Sequence, residues 1–308
     1  MTSSLSCCPD NSWGAPLDVN HDIKTLDDGV KGSLLKIGPE ADLEVYITTP
    51  SSSTKTANAT TLSSAAANDE EKKALVVFTD VYGLQNRLFA ICDKLASDLD
   101  MTVVAIDTFR GETKAHHTDD FVEWIKCHPF IVDDGDNDAA AKTIFPVKKD
   151  IESCFTFLLE THGINSSNIG AIGFCWGVWA LVKSCEMNLF QCGVGFHPSI
   201  KLESTIFGGN QEAVVTVAAK NTPLLLCVAG NDLDNLKPSK GGALAQIIWS
   251  SGSQHPRAGH NDWAWPRCVE FEDMIHGWVS RGDTSIDNVK EEAESALVMA
   301  IDFIRHWM

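Results

Sequence analysis

The sequence predicts an α/β fold in which helices cover both faces of a doubly wound, mostly parallel sheet. Short and continuously apolar segments, such as ALVVFT at 74–79, are typical of strands that are buried on both faces. Segments with helical periodicity alternate with these strands along the chain. A length of 308 residues also suits one large α/β domain.

The first elements follow a polar N-terminal segment, residues 1–30, which we expect to be irregular. Two short strands, LLKIG and LEVYITTP, are then joined by a turn near 39–42. Residues 51–73 are rich in Ser, Thr, Ala and Asn and can bury almost no apolar surface. We therefore expect a surface loop there, within a single domain at 31–308.

The remaining elements alternate in order. Strand 74–79 is followed by an amphipathic helix that ends near Leu99, and then by a strand at 101–106. Pro146 marks the start of a helix that extends to His162. Further elements are predicted as strands at 169–174, 192–196, 223–229 and 268–272, a helix from Cys175, and a final helix at 286–307.

Composition argues against several classes of function. Asp and Glu outnumber Lys and Arg by 42 to 24, and the net charge of −18 repels nucleic acid and anionic lipid. No apolar stretch is long enough to cross a bilayer, and the N-terminus lacks the features of a secretory signal. We expect a cytoplasmic protein, a monomer or weak homodimer, whose ten cysteines are thiols.

A candidate nucleophile lies in the segment GFCWG at 173–177, which has the form Gly-x-nucleophile-x-Gly. In this motif the nucleophile occupies a sharp, strained turn from a strand into a helix. The helix N-terminus lowers the pKa of a thiol there, which favours the thiolate of Cys175. The N–H of Trp176 is suited to stabilise an oxyanion. A buried structural cysteine is the alternative for so short a motif.

Two further residues complete a candidate triad. Asp232 follows the strand at 223–229, and His276 follows the last strand in MIHGWVSRGD. The chain order of nucleophile, acid and histidine is that of α/β-hydrolases. Asp234 is a second candidate for the acid, and His260 is a second candidate for the base. An ordinary turn aspartate and a loop histidine are the alternative interpretations.

The motifs FTDVYGLQ, AIDTFRGE, GFCWG, GND and HGWVSRGD occur in this order and together resemble the dienelactone hydrolase (carboxymethylenebutenolidase) family of α/β-hydrolases. The resemblance extends over about residues 35–308. It implies a second oxyanion donor at the N–H of Val81 and a carboxylate, Asp80, that interacts with the resting thiol. It also implies a catalytic triad composed of Cys175, His276 and Asp232.

These residues predict a cysteine-dependent hydrolase of small esters or lactones. The thiolate of Cys175 attacks a carbonyl, and water then hydrolyses the thioester intermediate. Asp232 holds the imidazole of His276 in one tautomer and stabilises its cation. Two alternatives stay open. One is a low-pKa thiol protein for redox chemistry or electrophile scavenging, although no resolving cysteine lies close in sequence. The other is a catalytically silent hydrolase fold that binds a partner.

Substrate recognition is predicted from positions adjacent to the triad. The guanidinium of Arg281 suits a substrate carboxylate, with Arg87 and Arg110 as lesser candidates and a solvated surface charge as the alternative. Tyr82, Trp176 and Trp278 are candidates for the walls of the pocket, and core packing is the alternative for each.

Two long segments, 111–145 and 239–266, are candidate lids. A metal-binding interpretation exists for the group His116, His117 and Asp119, but a solvated loop is favoured because no closing ligand is evident. The adjacent Cys7 and Cys8 lack the usual spacing of metal ligands. We therefore expect no metal and no cofactor.

Overall fold

The computed structural model of the protein describes residues 7–15, 29–50, 71–132, 144–252 and 267–308. This part of the chain contains one eight-stranded sheet. Its strands are β1 (Ser33–Ile37), β2 (Leu43–Thr48), β3 (Ala74–Phe78), β4 (Thr102–Ile106), β5 (Ile169–Phe174), β6 (Gly193–Phe196), β7 (Leu224–Ala229) and β8 (Arg267–Phe271).

The strand order is β1-β2-β4-β3-β5-β6-β7-β8. The pairs β1–β2 and β2–β4 are antiparallel, and the five other pairs of these strands are parallel. This arrangement confirms the predicted doubly wound, mostly parallel sheet. Parallel neighbours require crossover connections, so the intervening helices pack on the faces of the sheet.

The helices of the described residues are α1 (Asn86–Leu99), α2 (Phe121–Lys126), α3 (Val147–Phe157), α4 (Trp176–Glu186), α5 (Leu202–Thr205), α6 (Gln211–Asn221), α7 (Ala243–Gly252), α8 (Trp278–Arg281) and α9 (Asp287–Trp307). The helix predicted to reach His162 is regular only to Phe157 and continues as a wider π turn, which ends before Gly163 at φ 68°. None of these helices has the length and apolarity that a membrane span requires.

Two hydrophobic clusters lie on opposite faces of the sheet. Along β3, Val76 and Phe78 belong to one cluster and Leu75 and Val77 to the other, as the alternation of a strand requires. Residues of α3, α4, α6 and α7 pack on the first face, and residues of α1 and α9 pack on the second. Burial on both faces explains why the central strands are continuously apolar.

The parallel strands end at a common edge of the sheet, which is where ligands bind in folds of this kind. Polar and reactive side chains follow directly after these ends. They are Asp80 after β3, Cys175 after β5, His197 after β6, Asp232 after β7 and His276 after β8.

Candidate active site

Cys175 forms the turn between β5 and α4. Its backbone has φ 53° and ψ −112°, which is a strained conformation for a residue other than glycine. The N–H of Cys175 donates to the carbonyl of Phe196 at 3.0 Å, and its carbonyl accepts from the N–H of Ser199 at 3.1 Å. Bonds to the neighbouring strand β6 and the loop after it thus hold the turn in place.

The two glycines of the motif allow α4 to approach the sheet. A Cβ atom on Gly177 would overlap the backbone carbonyls of Phe78 and Thr79 at the end of β3, and a Cβ on Gly173 would meet the carbonyl of Gly177 at 2.5 Å. Because backbone atoms cannot yield as a flexible side chain can, both positions require glycine. Close packing of strand and helix is therefore the physical reason for the Gly-x-Cys-x-Gly pattern.

The N–H groups of Val81 and Trp176 donate no hydrogen bond to any residue that the structure describes. Val81 follows the end of β3, and Trp176 is the first residue of α4. N–H groups at a helix start have no partner within the helix, and their dipoles favour negative charge. Both predicted oxyanion donors are therefore available at the sheet edge that carries Cys175.

Asp232 and His276 form a buried acid–base pair. Oδ1 of Asp232 lies 2.6 Å from Nδ1 of His276, and its Oδ2 accepts from the N–H of Ala229 at 2.8 Å. The backbone N–H of His276 donates to Oδ1 of Asn231 at 2.6 Å. Burial alone lowers the pKa of His276, but the Asp232 carboxylate and the adjacent Cys8 thiol raise it to about 9. The imidazole is thus oriented and charged at neutral pH.

The second candidate for the acid, Asp234, does not join this pair. The side chain of Asp234 is 74% exposed and forms an ion pair with Lys237 at 3.1 Å. His260 lies outside the described residues. Of the two candidate acids, the structure brings Asp232 to His276.

Cys175, the predicted nucleophile, lies in a cluster of sulfur atoms and is not hydrogen-bonded to His276. The thiol that acts on the His276 ring is that of Cys8, which raises the pKa of His276. Sγ of Cys175 lies 3.3 Å from Oγ of Ser199, 3.6 Å from Sγ of Cys8 and 4.0 Å from Sγ of Cys7. These contacts occupy the space around the Cys175 thiol.

The cluster changes the ionisation expected for Cys175. Burial raises the pKa of Cys175 well above its usual value, and hydrogen bonds with Cys7 and Cys8 raise it further. Hydrogen bonds from Cys175 and Cys7 lower the pKa of Cys8, and the His276 side chain adds to this effect. The low pKa predicted for Cys175 from the helix N-terminus is therefore not found in this arrangement, because burial and the hydrogen bonds with Cys7 and Cys8 favour the neutral thiol.

Asp80 binds Arg281 in place of the resting thiol. Its Oδ2 accepts from Nε of Arg281 at 3.0 Å and from Oγ of Ser280 at 2.8 Å, while Oδ1 accepts from the N–H of Tyr82 at 2.9 Å. The expected contact with Cys175 is not formed. The guanidinium of Arg281 is buried over the ring of Tyr82, at 4.9 Å from its centroid, and is not a solvated surface charge.

Removal of one partner from the buried Asp80–Arg281 pair is expected to lower stability strongly. Replacing Asp80 by Ala leaves a buried guanidinium without its carboxylate, so the free energy of unfolding should fall by about 3–5 kcal/mol in urea denaturation. Asp98→Ala, which removes the exposed Lys94–Asp98 pair of α1, is the control and should cost about 0.2–1 kcal/mol. Equal losses in the two variants would contradict this role for Asp80.

The aromatic candidates pack in the core. Trp278 has no exposure, and its ring lies 5.4 Å from that of His197 and 5.2 Å from that of Phe271. Trp176 is equally buried and packs on Phe109 at 4.6 Å. In the arrangement described here, core packing accounts for both tryptophans.

The ring of His197 packs against that of His276. Its ring packs edge-on against His276 with centroids 4.9 Å apart, and its Nε2 lies 3.5 Å from Oγ of Ser280. Its backbone has φ 42°, in the left-handed region that residues other than glycine rarely adopt. Burial lowers the pKa of His197, so this ring is neutral beside a charged His276. In the sequence, the position of His197 at the end of a predicted strand places it at this edge of the sheet. No local feature of the sequence predicts its contact with His276.

The other sequence candidates have separate structural partners. Arg87 donates to the carbonyls of Val279, Gly282 and Trp278 and braces α8. Arg110 forms ion pairs with Asp150 at 2.7 Å and Asp42 at 3.2 Å. Both side chains are thus bound by groups of the protein itself.

The group His116, His117 and Asp119 lies within the described residues, whereas the two candidate lids are only partly described. Both ring nitrogens of His117 are bound by carboxylates, Asp120 and Glu112, each at 2.9 Å. Residues 133–143 and 253–266 of the candidate lids lie outside the described residues. In the described ranges, the group of metal-ligating atoms that lie within 4.8 Å of one another is the sulfur cluster itself.

The sequence profile of the dienelactone hydrolase family matches residues 59–308. The chain belongs to the dienelactone hydrolase family. This confirms the resemblance found in the motifs, and the α/β-hydrolase strand order agrees with it.

This dienelactone hydrolase family member has low sequence identity to the following two proteins. It is 26% identical over 199 residues to an uncharacterised AIM2 family protein of Schizosaccharomyces pombe, and the match covers 64% of this chain and 66% of that protein. A putative dienelactone hydrolase from Klebsiella pneumoniae has a TM-score of 0.57 at 12% identity, covering 90% of this chain and 99% of that chain.

Two further solved structures show the same fold. A dienelactone hydrolase-like promiscuous phosphotriesterase, P91, from metagenomic libraries has a TM-score of 0.57 at 12% identity, with 90% and 98% of the two chains covered. Carboxyl esterase 2 of Tuber melanosporum has a TM-score of 0.51 at 13% identity, with 90% and 86% covered. The fold is shared, while activity must be argued from the residues of the site.

Proposed function

We propose that this protein is a cysteine hydrolase of small esters or lactones, with Cys175 as nucleophile, His276 as base and Asp232 as the acid that orients His276. The observation that carries the proposal is the buried 2.6 Å contact between Asp232 and His276, at the sheet edge where Cys175 occupies a strained turn. Membership of the dienelactone hydrolase family supports the same reaction class.

The charge of His276 suits a thiolate nucleophile. With a pKa of about 9, held up against burial by Asp232 and Cys8, the imidazole is protonated at neutral pH. A sulfur adjacent to this cation is favoured as a thiolate. In the structure, the thiol beside His276 is that of Cys8. Cys175 therefore becomes reactive when its side chain replaces the Cys8 thiol beside His276.

Catalysis then proceeds in two halves. Sγ of Cys175 attacks the carbonyl carbon, and the oxyanion is stabilised by the N–H groups of Val81 and Trp176. The carbon–oxygen bond breaks, and His276 gives its proton to the leaving oxygen. Neutral His276 then removes a proton from water, which attacks the thioester and releases the carboxylic acid and the Cys175 thiolate.

The substrate class follows from the nucleophile. Thiolates displace aryl or enol oxygens easily, whereas an amide nitrogen needs strong protonation before it leaves. We therefore propose a small-molecule ester or lactone as substrate, without a cofactor. We also propose that the protein is cytoplasmic, because none of its ten cysteines is in a disulfide, as is typical of a reducing compartment. We further propose a monomer or weak homodimer.

A panel of aryl acetates and small enol lactones, with matched anilides, tests this proposal under reducing conditions. We expect continuous turnover of esters and lactones, about 100-fold or more faster than that of the anilides. A single stoichiometric burst without turnover would instead indicate an electrophile-scavenging thiol, and no reaction at all would indicate a silent hydrolase fold.

A further inference from the structure

The N-terminal segment, residues 7–15, covers the candidate active site. The N–H of Trp13 donates to the carbonyl of His276 at 2.9 Å. Side chains of the site also bind its backbone carbonyls: Ser199 Oγ to Cys7 at 2.7 Å, Asn231 Nδ2 to Asp10 at 3.3 Å, and Arg281 Nη1 to Trp13 and to Gly14. The segment therefore binds to residues that follow three different strands, β6, β7 and β8.

The segment occupies the place that a substrate needs. Cys175 and His276 have no solvent exposure with the segment bound. The Cys8 thiol lies beside both of them, and carbonyls of Trp13 and Gly14 take the Nη1 donor of Arg281, the side chain predicted to bind a substrate carboxylate. An ester can reach Cys175 only after this segment moves.

The geometry of the sulfur cluster selects one pair of cysteines for oxidation. Cys7 and Cys8 have sulfurs 3.2 Å apart, but adjacent Cα atoms are about 3.8 Å apart, below the usual 4.4–6.8 Å of a disulfide. Cys7 and Cys175 are 4.0 Å apart, whereas Cys8 and Cys175 are 3.6 Å apart. The Cys8–Cys175 pair combines a short sulfur–sulfur distance with a long separation in the chain.

We propose that Cys8 and Cys175 form a reversible disulfide under oxidation by a peroxide, which locks the N-terminal segment over the site and switches the hydrolase off. The inference rests on the proposed function for its regulatory meaning. No resolving cysteine lies close to Cys175 in the sequence. Cys8 is 167 residues away along the chain, but its sulfur contacts that of Cys175 in the fold.

Hydrogen peroxide is the two-electron oxidant in this reaction. The Cys8 thiolate attacks one peroxide oxygen, the O–O bond breaks, and water leaves after protonation, which gives a sulfenic acid on Cys8. Sγ of Cys175 attacks that sulfur, the S–O bond breaks, and a second water carries away the Cys175 proton. In sum, two thiols lose two electrons and hydrogen peroxide is reduced to two waters.

The surroundings of Cys8 favour this order of events. Hydrogen bonds from Cys175 and Cys7, with His276 alongside, lower the pKa of Cys8, whereas burial raises the pKa of Cys175. Cys8 is also 6% exposed, while Cys175 has no exposure. Peroxide therefore meets a thiolate first at Cys8, and Cys175 resolves the product.

Peptide mapping tests the bond itself. The full-length protein is titrated with hydrogen peroxide in the presence of EDTA, alkylated, and digested without reduction. We expect the cross-linked Cys8–Cys175 peptide as the main product, present also in Cys7→Ser and absent in Cys8→Ser. A main product linking Cys7 to Cys8, or sulfinic acid on Cys175 without any cross-link, would overturn the inference.

Activity gives a separate test, with each variant normalised to its own reduced form. Oxidised wild-type protein should lose about 100-fold or more of its esterase activity and recover it with dithiothreitol. Oxidised Cys8→Ser should stay inactive after dithiothreitol is added. Without Cys8 to form a disulfide, Cys175 is oxidised to the sulfinic acid, which thiols do not reduce. A Cys8–Cys175 cross-link in a protein that hydrolyses no ester would support the disulfide and refute the proposed function. Turnover without a cross-link would refute the disulfide alone.

Discussion

Replacing Cys175 by Ala is expected to lower kcat/KM for an aryl ester by about 10³-fold or more. The reason is that the thioester pathway is lost, while the oxyanion donors, the acid–base pair and the fold remain. Steady-state kinetics in dithiothreitol measures the effect without interference from the sulfur cluster. Circular dichroism and urea denaturation establish that the variant is folded.

Cys127→Ala is the matched control. Cys127 is a partly exposed free thiol whose Sγ donates to the carbonyl of Glu123 at 3.3 Å, at the end of α2. Its removal touches neither the strained turn nor the sulfur cluster, so activity should stay within about twofold of wild type. If the folded Cys175→Ala protein retains activity close to that of this control, another residue must be the nucleophile.

The second large effect is expected for Asp232→Asn, which should lower kcat by about 10³- to 10⁴-fold. The amide of Asn presents an N–H₂ group that cannot accept the proton of Nδ1, so the imidazole loses its tautomer and the partner of its cation. Since burial alone lowers the pKa of His276, the ring should also become neutral well below its present pKa of about 9. Histidine titration by NMR follows this change.

Asp234→Asn separates the two candidate acids. Its carboxylate is exposed and paired with Lys237, so activity and the titration of His276 should stay close to wild type. A large loss of kcat in Asp234→Asn, with little effect in Asp232→Asn, would reverse the assignment of the acid.

Much of the fold and the contact between Asp232 and His276 could be predicted, because local signals in the sequence specify them. Continuous apolar runs specify doubly buried strands, and the residues that follow such strands gather at one sheet edge. Asp232 and His276 are 44 residues apart in the chain, yet each directly follows a parallel strand, and the structure brings them together. Gly173 and Gly177 similarly record the close approach of α4 to the sheet.

The interactions that were missed depend on tertiary contacts between segments without periodicity. Cys8 comes from an irregular segment, and nothing in its local sequence indicates that it reaches Cys175. Asp80 and Arg281 are 201 residues apart, and a motif cannot show that the carboxylate binds a guanidinium in preference to a thiol. Burial, which raises the pKa of Cys175, is likewise a property of the folded chain.

The nucleophile can be identified most directly by trapping the acyl-enzyme. Reduced protein is mixed with a slowly hydrolysed aryl ester, quenched in acid within the first turnovers, and examined by intact-mass and peptide mass spectrometry. The account predicts one acyl group on the peptide that contains Cys175, which forms and decays at the rate of turnover. An acyl group on Ser199 or Cys8, the side chains within 3.3 and 3.6 Å of Cys175, with Cys175 unmodified, would contradict it.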